Sequence, residues 1–123
     1  MNDNLKHYLK QIEQALSAGN ATEHTFRPAL KELIESLETN ITAINEPKRI
    51  ACGAPDFIIM KGDVPLGYIE AKDIGKRLDE VERSEQMARY LKGLGNLILT
   101  DYLEFRWYAE GKHRLTARLA KVD

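Results

Sequence analysis

Apolar residues recur at helical spacing from the start of the chain. Leu5, Tyr8, Leu9, Ile12 and Leu16 fall at i, i+3, i+4, i+7 and i+11, which makes one face of an amphipathic helix, and Gly19-Asn20 supplies its stop signal. A second face, Phe26, Leu30, Leu33, Ile34 and Leu37, predicts another helix with Thr22 or Thr25 as its N-cap. Pro28 favours Thr25, because a proline in the first turn gives up no intrahelical hydrogen bond, whereas a start at Thr22 would force a kink.

The period then shortens. Residues 48–52, 56–61 and 66–72 read as three β-rich runs separated by Gly53-Ala54-Pro55 and Gly62-Asp63, and the last two fit a hairpin. Helical spacing returns over 77–94, with Leu78, Val81, Ala88 and Leu91 toward a core and Gly93 and Gly95 closing the helix. Strands are expected at 96–100 and 103–109, while 113–122 alternates loosely and fits either a strand or a helix. This order predicts an α/β (α+β) fold with a mixed central sheet flanked by helices.

Composition sets limits on this picture. The chain has 123 residues, 43% hydrophobic and 30% charged, enough for one core and one domain spanning residues 1–123. The single cysteine, Cys52, excludes an internal disulfide and reads as a small buried apolar residue. Without Cys/His zinc spacing, a secretory n-region or a long apolar run, the expected location is the cytoplasm, with no membrane partner. A net charge of -1 argues against a general polyanion binder but leaves room for a local basic face.

Candidate chemistry lies in the hairpin. Asp56 opens one strand and Glu70 sits near the end of the next, so antiparallel pairing brings the two carboxylates to one end of the sheet. Two carboxylates are the minimum for holding a hard divalent cation beside a phosphate. Lys72 follows Glu70 by two residues and therefore shares its face, where an ammonium can orient a water or offset transition-state charge. Gln86 and Tyr90 share a helical face at i and i+4 on the following helix, which also suits an ordinary surface pair.

The runs Cys52-Gly53-Ala54-Pro55-Asp56 and Gly67-Tyr68-Ile69-Glu70-Ala71-Lys72 resemble the signature of the PD-(D/E)xK nuclease superfamily, in its ExK form. The resemblance implies a restriction endonuclease-like core, Asp56 and Glu70 as magnesium ligands with Mn2+ able to substitute, and Lys72 as a catalytic residue. Many members carry a further glutamate ligand on the helix before the sheet; Glu23 matches it best, with Glu32 and Glu35 as fallbacks. Gln86-Met87-Ala88-Arg89-Tyr90 is similar to a Gln-x-x-x-Tyr element of RecB-like branches, which implies active-site roles for Gln86 and Tyr90.

From Thr22 to Tyr108 the chain most resembles the N-terminal nuclease domain of single-polypeptide, type I-like (type ISP) restriction-modification enzymes. That implies a Mg2+-dependent endonuclease of double-stranded DNA, excised from a parent chain that also carries helicase-like translocase, methyltransferase and target-recognition parts. A second nuclease domain would then be needed for a double-strand break. Two other readings stay open: an inactive nuclease fold acting as a DNA-binding or docking module, and a stand-alone resolvase or repair nuclease of the same superfamily.

Several of these residues have plainer explanations. An acidic Glu23 beside a helix start is favoured by the helix dipole alone. Arg77, Arg83, Arg89 and Lys92 could contact phosphates, or pair with the interspersed Asp79, Glu80, Glu82 and Glu85. His24 and His113 lack partners at useful spacing, and Phe105, Trp107 and Tyr108 read as strand packing rather than base-stacking platforms.

Overall fold

The computed structural model describes residues 3–19, 24–45 and 48–121. Two helices come first: α1 (Asp3–Ser17), with Tyr8 and Ile12 buried as their spacing requires, and α2 (Arg27–Ser36). Phe26, rather than either threonine, occupies the N-cap of α2 and makes no side-chain capping bond. Packing overrides capping preference here, since Phe26 is buried and its ring centroid lies 5.4 Å from that of Tyr102.

Six strands form one sheet in the order β1-β2-β3-β4-β5-β6. They are β1 (Ile41–Asn45), β2 (Phe57–Lys61), β3 (Val64–Ala71), β4 (Asn96–Thr100), β5 (Glu104–Ala109) and β6 (Lys112–Arg118). Every neighbouring pair is antiparallel except β3–β4, which is parallel and therefore needs a crossover. The expected hairpin is β2–β3, turned by Gly62 at φ 58 and Asp63. Residues 113–122, which fitted strand or helix, hold most of β6, an edge strand exposed along its whole length.

Further expectations need correction. Residues 48–52 are not a strand; they contain one end of an isolated bridge, Ile50 to Gly53, and the strand paired with β2 is the earlier β1. The helix expected over 77–94 is two, α3 (Leu78–Glu82) and α4 (Glu85–Gly93). Ser84 breaks it: its hydroxyl donates to the Val81 carbonyl at 2.6 Å and accepts from the Met87 N–H at 3.2 Å, ending one helix and capping the next. The break resets the helical phase, so Met87 and Tyr90 are buried whereas Ala88 is exposed. Ser84→Ala is expected to cost about 1 kcal/mol in urea unfolding, the usual loss of an N-cap.

Strand alternation separates two cores. Ala43, Phe57, Ile69 and Ile98 face α1 and α2, while Tyr68, Leu97, Leu99 and Tyr108 face α3 and α4. The molecule is thus a mixed α and β fold with helices on both faces of a mixed sheet, as the element order predicted. Among the described residues no helix is long and apolar enough to cross a membrane. Cys52 is free and half-buried rather than buried, packed against the α4 side.

Candidate active site

The C-terminal end of the parallel pair β3–β4 is where the candidate residues meet. Such strand ends are the usual ligand-binding edge of open sheets with crossover helices. Because Phe57 pairs with Ile69, Asp56 stands opposite the last residues of β3, and its Oδ2 accepts the Ala71 N–H at 2.8 Å. Glu70 alternates with Ile69 and so turns toward the α4 side. The Lys72 N–H donates to the Thr100 carbonyl at 2.8 Å, extending the β3–β4 ladder past its last strand residue.

Lys72 Nζ lies 3.1 Å from Glu70 Oε2 and donates to Gln86 Oε1 at 3.1 Å. Ser84 sets this last contact, since the cap it makes fixes where α4 begins and hence where Gln86 stands. One turn on, Tyr90 is 1% exposed, its ring against Gly53. Burial pushes its hydroxyl up to about 12, with Glu70, Asp56 and Cys52 adding to the rise and Arg89 opposing it, so it stays protonated and available as a donor. A cleft of about 240 Å³ opens beside Lys72 and Gln86.

Glu70 is electrostatically strained. It is 4% exposed, and its Oε1 is buried without a hydrogen-bond partner. Burial raises its carboxyl above the ordinary range and the Asp56 charge raises it further, against the downward pull of Lys72 and of the Asp56 backbone. A buried carboxylate oxygen with no donor, beside a second carboxylate, is a site that a cation would relieve. Among the described residues no group of three or more His, Cys, Asp or Glu is placed to hold a metal. Two carboxylates nevertheless fit magnesium, which fills its remaining positions with water and substrate phosphate oxygens.

Glu23 lies outside the described residues. Both fallbacks are engaged away from this end of the sheet. Along α2, Arg27 reaches Asp56 and Asn45, Lys31 one turn later reaches the Ala43 carbonyl at 2.8 Å, and Glu35 accepts the Ala43 N–H at 3.0 Å. Lys31 and the Ala43 N–H hold the Glu35 carboxyl below its usual range. Glu32 takes Gln11 at 3.2 Å and His7 at 3.4 Å instead.

Sequence reasoning missed Arg27. Its Nη2 donates to Asp56 Oδ1 at 2.7 Å and its Nη1 to Asn45 Oδ1 at 3.2 Å, and the residue is buried. One local signal pointed to it: a cation at the first residue of a helix opposes the dipole and calls for a carboxylate partner. Of the four cations on the crossover helices, Arg77 and Arg89 pair within their helices, with Glu80 at 3.7 Å and Glu85 at 3.3 Å. A larger cleft, about 610 Å³, lies elsewhere, walled by Glu82, Glu104, Arg106 and Arg118. There Arg106 reaches Glu104 at 2.6 Å, Asp79 at 2.8 Å and Glu82 at 3.4 Å, a network tying α3 to β5. Tyr108 is buried, but Trp107 on the opposite face is half-exposed and donates to Asn96.

No family model matches the chain, and no curated protein does. Among solved structures, it is similar to a chain in the cryo-electron-microscopy structure of a DrdV–DNA complex, with a TM-score of 0.78 and 20% identity. The similarity covers 94% of this chain and 12% of that one, so the chain spans about an eighth of the solved chain's length. At that identity the likeness is one of fold.

Proposed function

We propose that the chain is a divalent-cation-dependent nuclease module of the PD-(D/E)xK kind, hydrolysing DNA phosphodiester bonds as the cleavage part of a translocating restriction-modification enzyme. The observation that carries the reading is the convergence of Asp56, Glu70 and Lys72 at one strand end, with a Glu70 oxygen buried and unsatisfied. The fold shared with a chain solved in complex with DNA supports it.

Asp56 and Glu70 would hold magnesium, whose chemistry there is to polarise the scissile phosphate and lower the pKa of an attacking water. The protein's own residues prepare that chemistry. Lys72, held between Glu70 and Gln86, keeps an ammonium where negative charge develops on the phosphate. Gln86 fixes its direction as an acceptor, and the protonated Tyr90 closes the buried side of the site beneath Glu70 and Asp56. Sequence specificity, and the second nuclease needed for a double-strand break, would come from other parts of the parent chain or from its partner.

A second reading is an inactive docking or DNA-binding module. It is favoured by one observation: each carboxylate already has its own cation, Asp56 with Arg27 and Glu70 with Lys72. Magnesium titration separates the two. Mg2+ is expected to raise the thermal midpoint of the wild-type chain but not of Asp56→Asn or Glu70→Gln, and Lys72→Ala is expected to abolish cleavage by the parent enzyme while leaving ATP hydrolysis and methylation intact. DNA binding indifferent to Mg2+ and to all three substitutions would establish the module, and junction cutting by the chain alone would point to a resolvase.

A further inference from the structure

Arg27 is placed as no surface arginine would be. It is the first residue of α2, buried beneath the sheet end, with Nη2 2.7 Å from Asp56 Oδ1 and Nη1 3.2 Å from Asn45 Oδ1. It also lies against the Tyr102 hydroxyl, which is pushed up to about 12 by burial first, with Arg27 pulling the other way. Tyr102 is itself fixed, with φ 76 at the β4–β5 turn and its carbonyl accepting the Tyr8 hydroxyl at 2.6 Å. The guanidinium is thus anchored to at least three groups on different segments and cannot swing aside without breaking them.

This bears on how many cations the site can take. Two-metal phosphodiester sites hold their ions about 3.5–4 Å apart, a spacing that a carboxylate giving one oxygen to each can span. Asp56 is the residue positioned to do so, yet its Oδ2 accepts the Ala71 N–H at 2.8 Å and its Oδ1 faces a fixed guanidinium. A second divalent ion on Oδ1 would sit against a full positive charge. Resting on the nuclease reading above, we propose that Arg27 is a positioning residue whose charge stands where a second cation would bridge Asp56, so that the site takes one divalent ion. Among the described residues Asp56 pairs with Arg27 and Glu70 with Lys72 before any ion arrives. The entering ion must share Asp56 with Arg27, which weakens its binding to the free protein.

Calorimetric titration of the chain with Mn2+ alone tests this. One ion per wild-type chain is expected, and none for Asp56→Asn/Glu70→Gln. Arg27→Met, checked for folding by circular dichroism, is expected to bind Mn2+ about tenfold more tightly, because a like charge has gone from the ligand. Arg27→Lys, which keeps the charge, is expected to stay near the wild type. A role confined to holding the fold would instead weaken binding in Arg27→Met. Two ions per wild-type chain, or weaker binding by folded Arg27→Met, overturns the inference and leaves the nuclease reading standing. Absence of Mn2+ binding by the wild type, or binding that survives Asp56→Asn/Glu70→Gln, overturns the nuclease reading and this inference with it. Should Arg27→Met fail to fold, the wild-type stoichiometry and Arg27→Lys still decide.

Discussion

On the proposed nuclease reading, Glu70→Gln is expected to lower cation-dependent DNA cleavage on the order of a thousandfold, while leaving the cation-free protein at least as stable as the wild type at neutral pH. The two effects have one cause. Glu70 is nearly fully buried, and one of its oxygens has no donor, so Lys72 offsets only part of the cost of its charge until a divalent cation meets it. Glutamine keeps the shape and removes both the charge and the ligand. The sign of the pH dependence follows from the raised carboxyl. A group whose pKa is higher folded than unfolded adds stability that is fully present below its unfolded value, near 4.5, and is lost as pH rises through the folded value. The stability of wild type relative to Glu70→Gln should therefore fall as pH rises through the mildly acidic range in chelator, and Mg2+ at neutral pH should restore it for the wild type alone. Thermal unfolding against pH, with and without Mg2+, measures this. A gap that widens in favour of the wild type with rising pH would show that Glu70 is already satisfied.

A large loss of stability from a single added methyl is expected at Gly53. Its φ of 135 lies where L side chains are rarely found, and a Cβ there would come 3.0 Å from Tyr90 Cε1 and 3.4 Å from its hydroxyl. Neither partner can give easily, because the Tyr90 ring is fully buried. Backbone strain and overpacking together put Gly53→Ala at about 2–4 kcal/mol. Displacing Tyr90 also shifts α4, and with it Gln86 away from Lys72, so cleavage should fall along with stability. Urea unfolding gives the first quantity and a DNA-nicking assay the second. A stability change within about 0.5 kcal/mol, the range of neutral surface substitutions, would mean that the turn relaxes around the new side chain.

Where the sequence was legible, local periodicity and tertiary demand agreed. The α1 stripe is buried at Tyr8 and Ile12, and Gly62-Asp63 turns the β2–β3 hairpin, whose register alone is enough to bring Asp56 to Glu70. Elsewhere the two diverged. Within β1 only Ala43 is buried, so its five residues carry no apolar alternation to detect, while Ile50 and Cys52 imitate a strand in what is a turn around Gly53. A hydroxyl that bonds backbone on both sides splits the crossover at Ser84, and helical spacing across the break misplaces Ala88. Arg27 was hidden for a different reason: its partner is 29 residues away, and arginine carries a strong prior for solvent.

The site is also stitched from distant pieces. Asp56 reaches Arg27 across 29 residues and Ala71 across 15, Lys72 reaches Gln86 across 14, and the Lys72 N–H waits for Thr100 on the far side of the crossover. Contacts of such separation form only once loop-closure entropy has been met by the surrounding core. A chain still emerging from the ribosome, with β4 not yet released, has only the β2–β3 hairpin to bring Asp56 near Glu70 and lacks the Thr100 carbonyl that fixes the Lys72 backbone. On the proposed nuclease reading, cleavage would in this way be a property of the completed molecule, and unfinished copies would be harmless to the DNA around them.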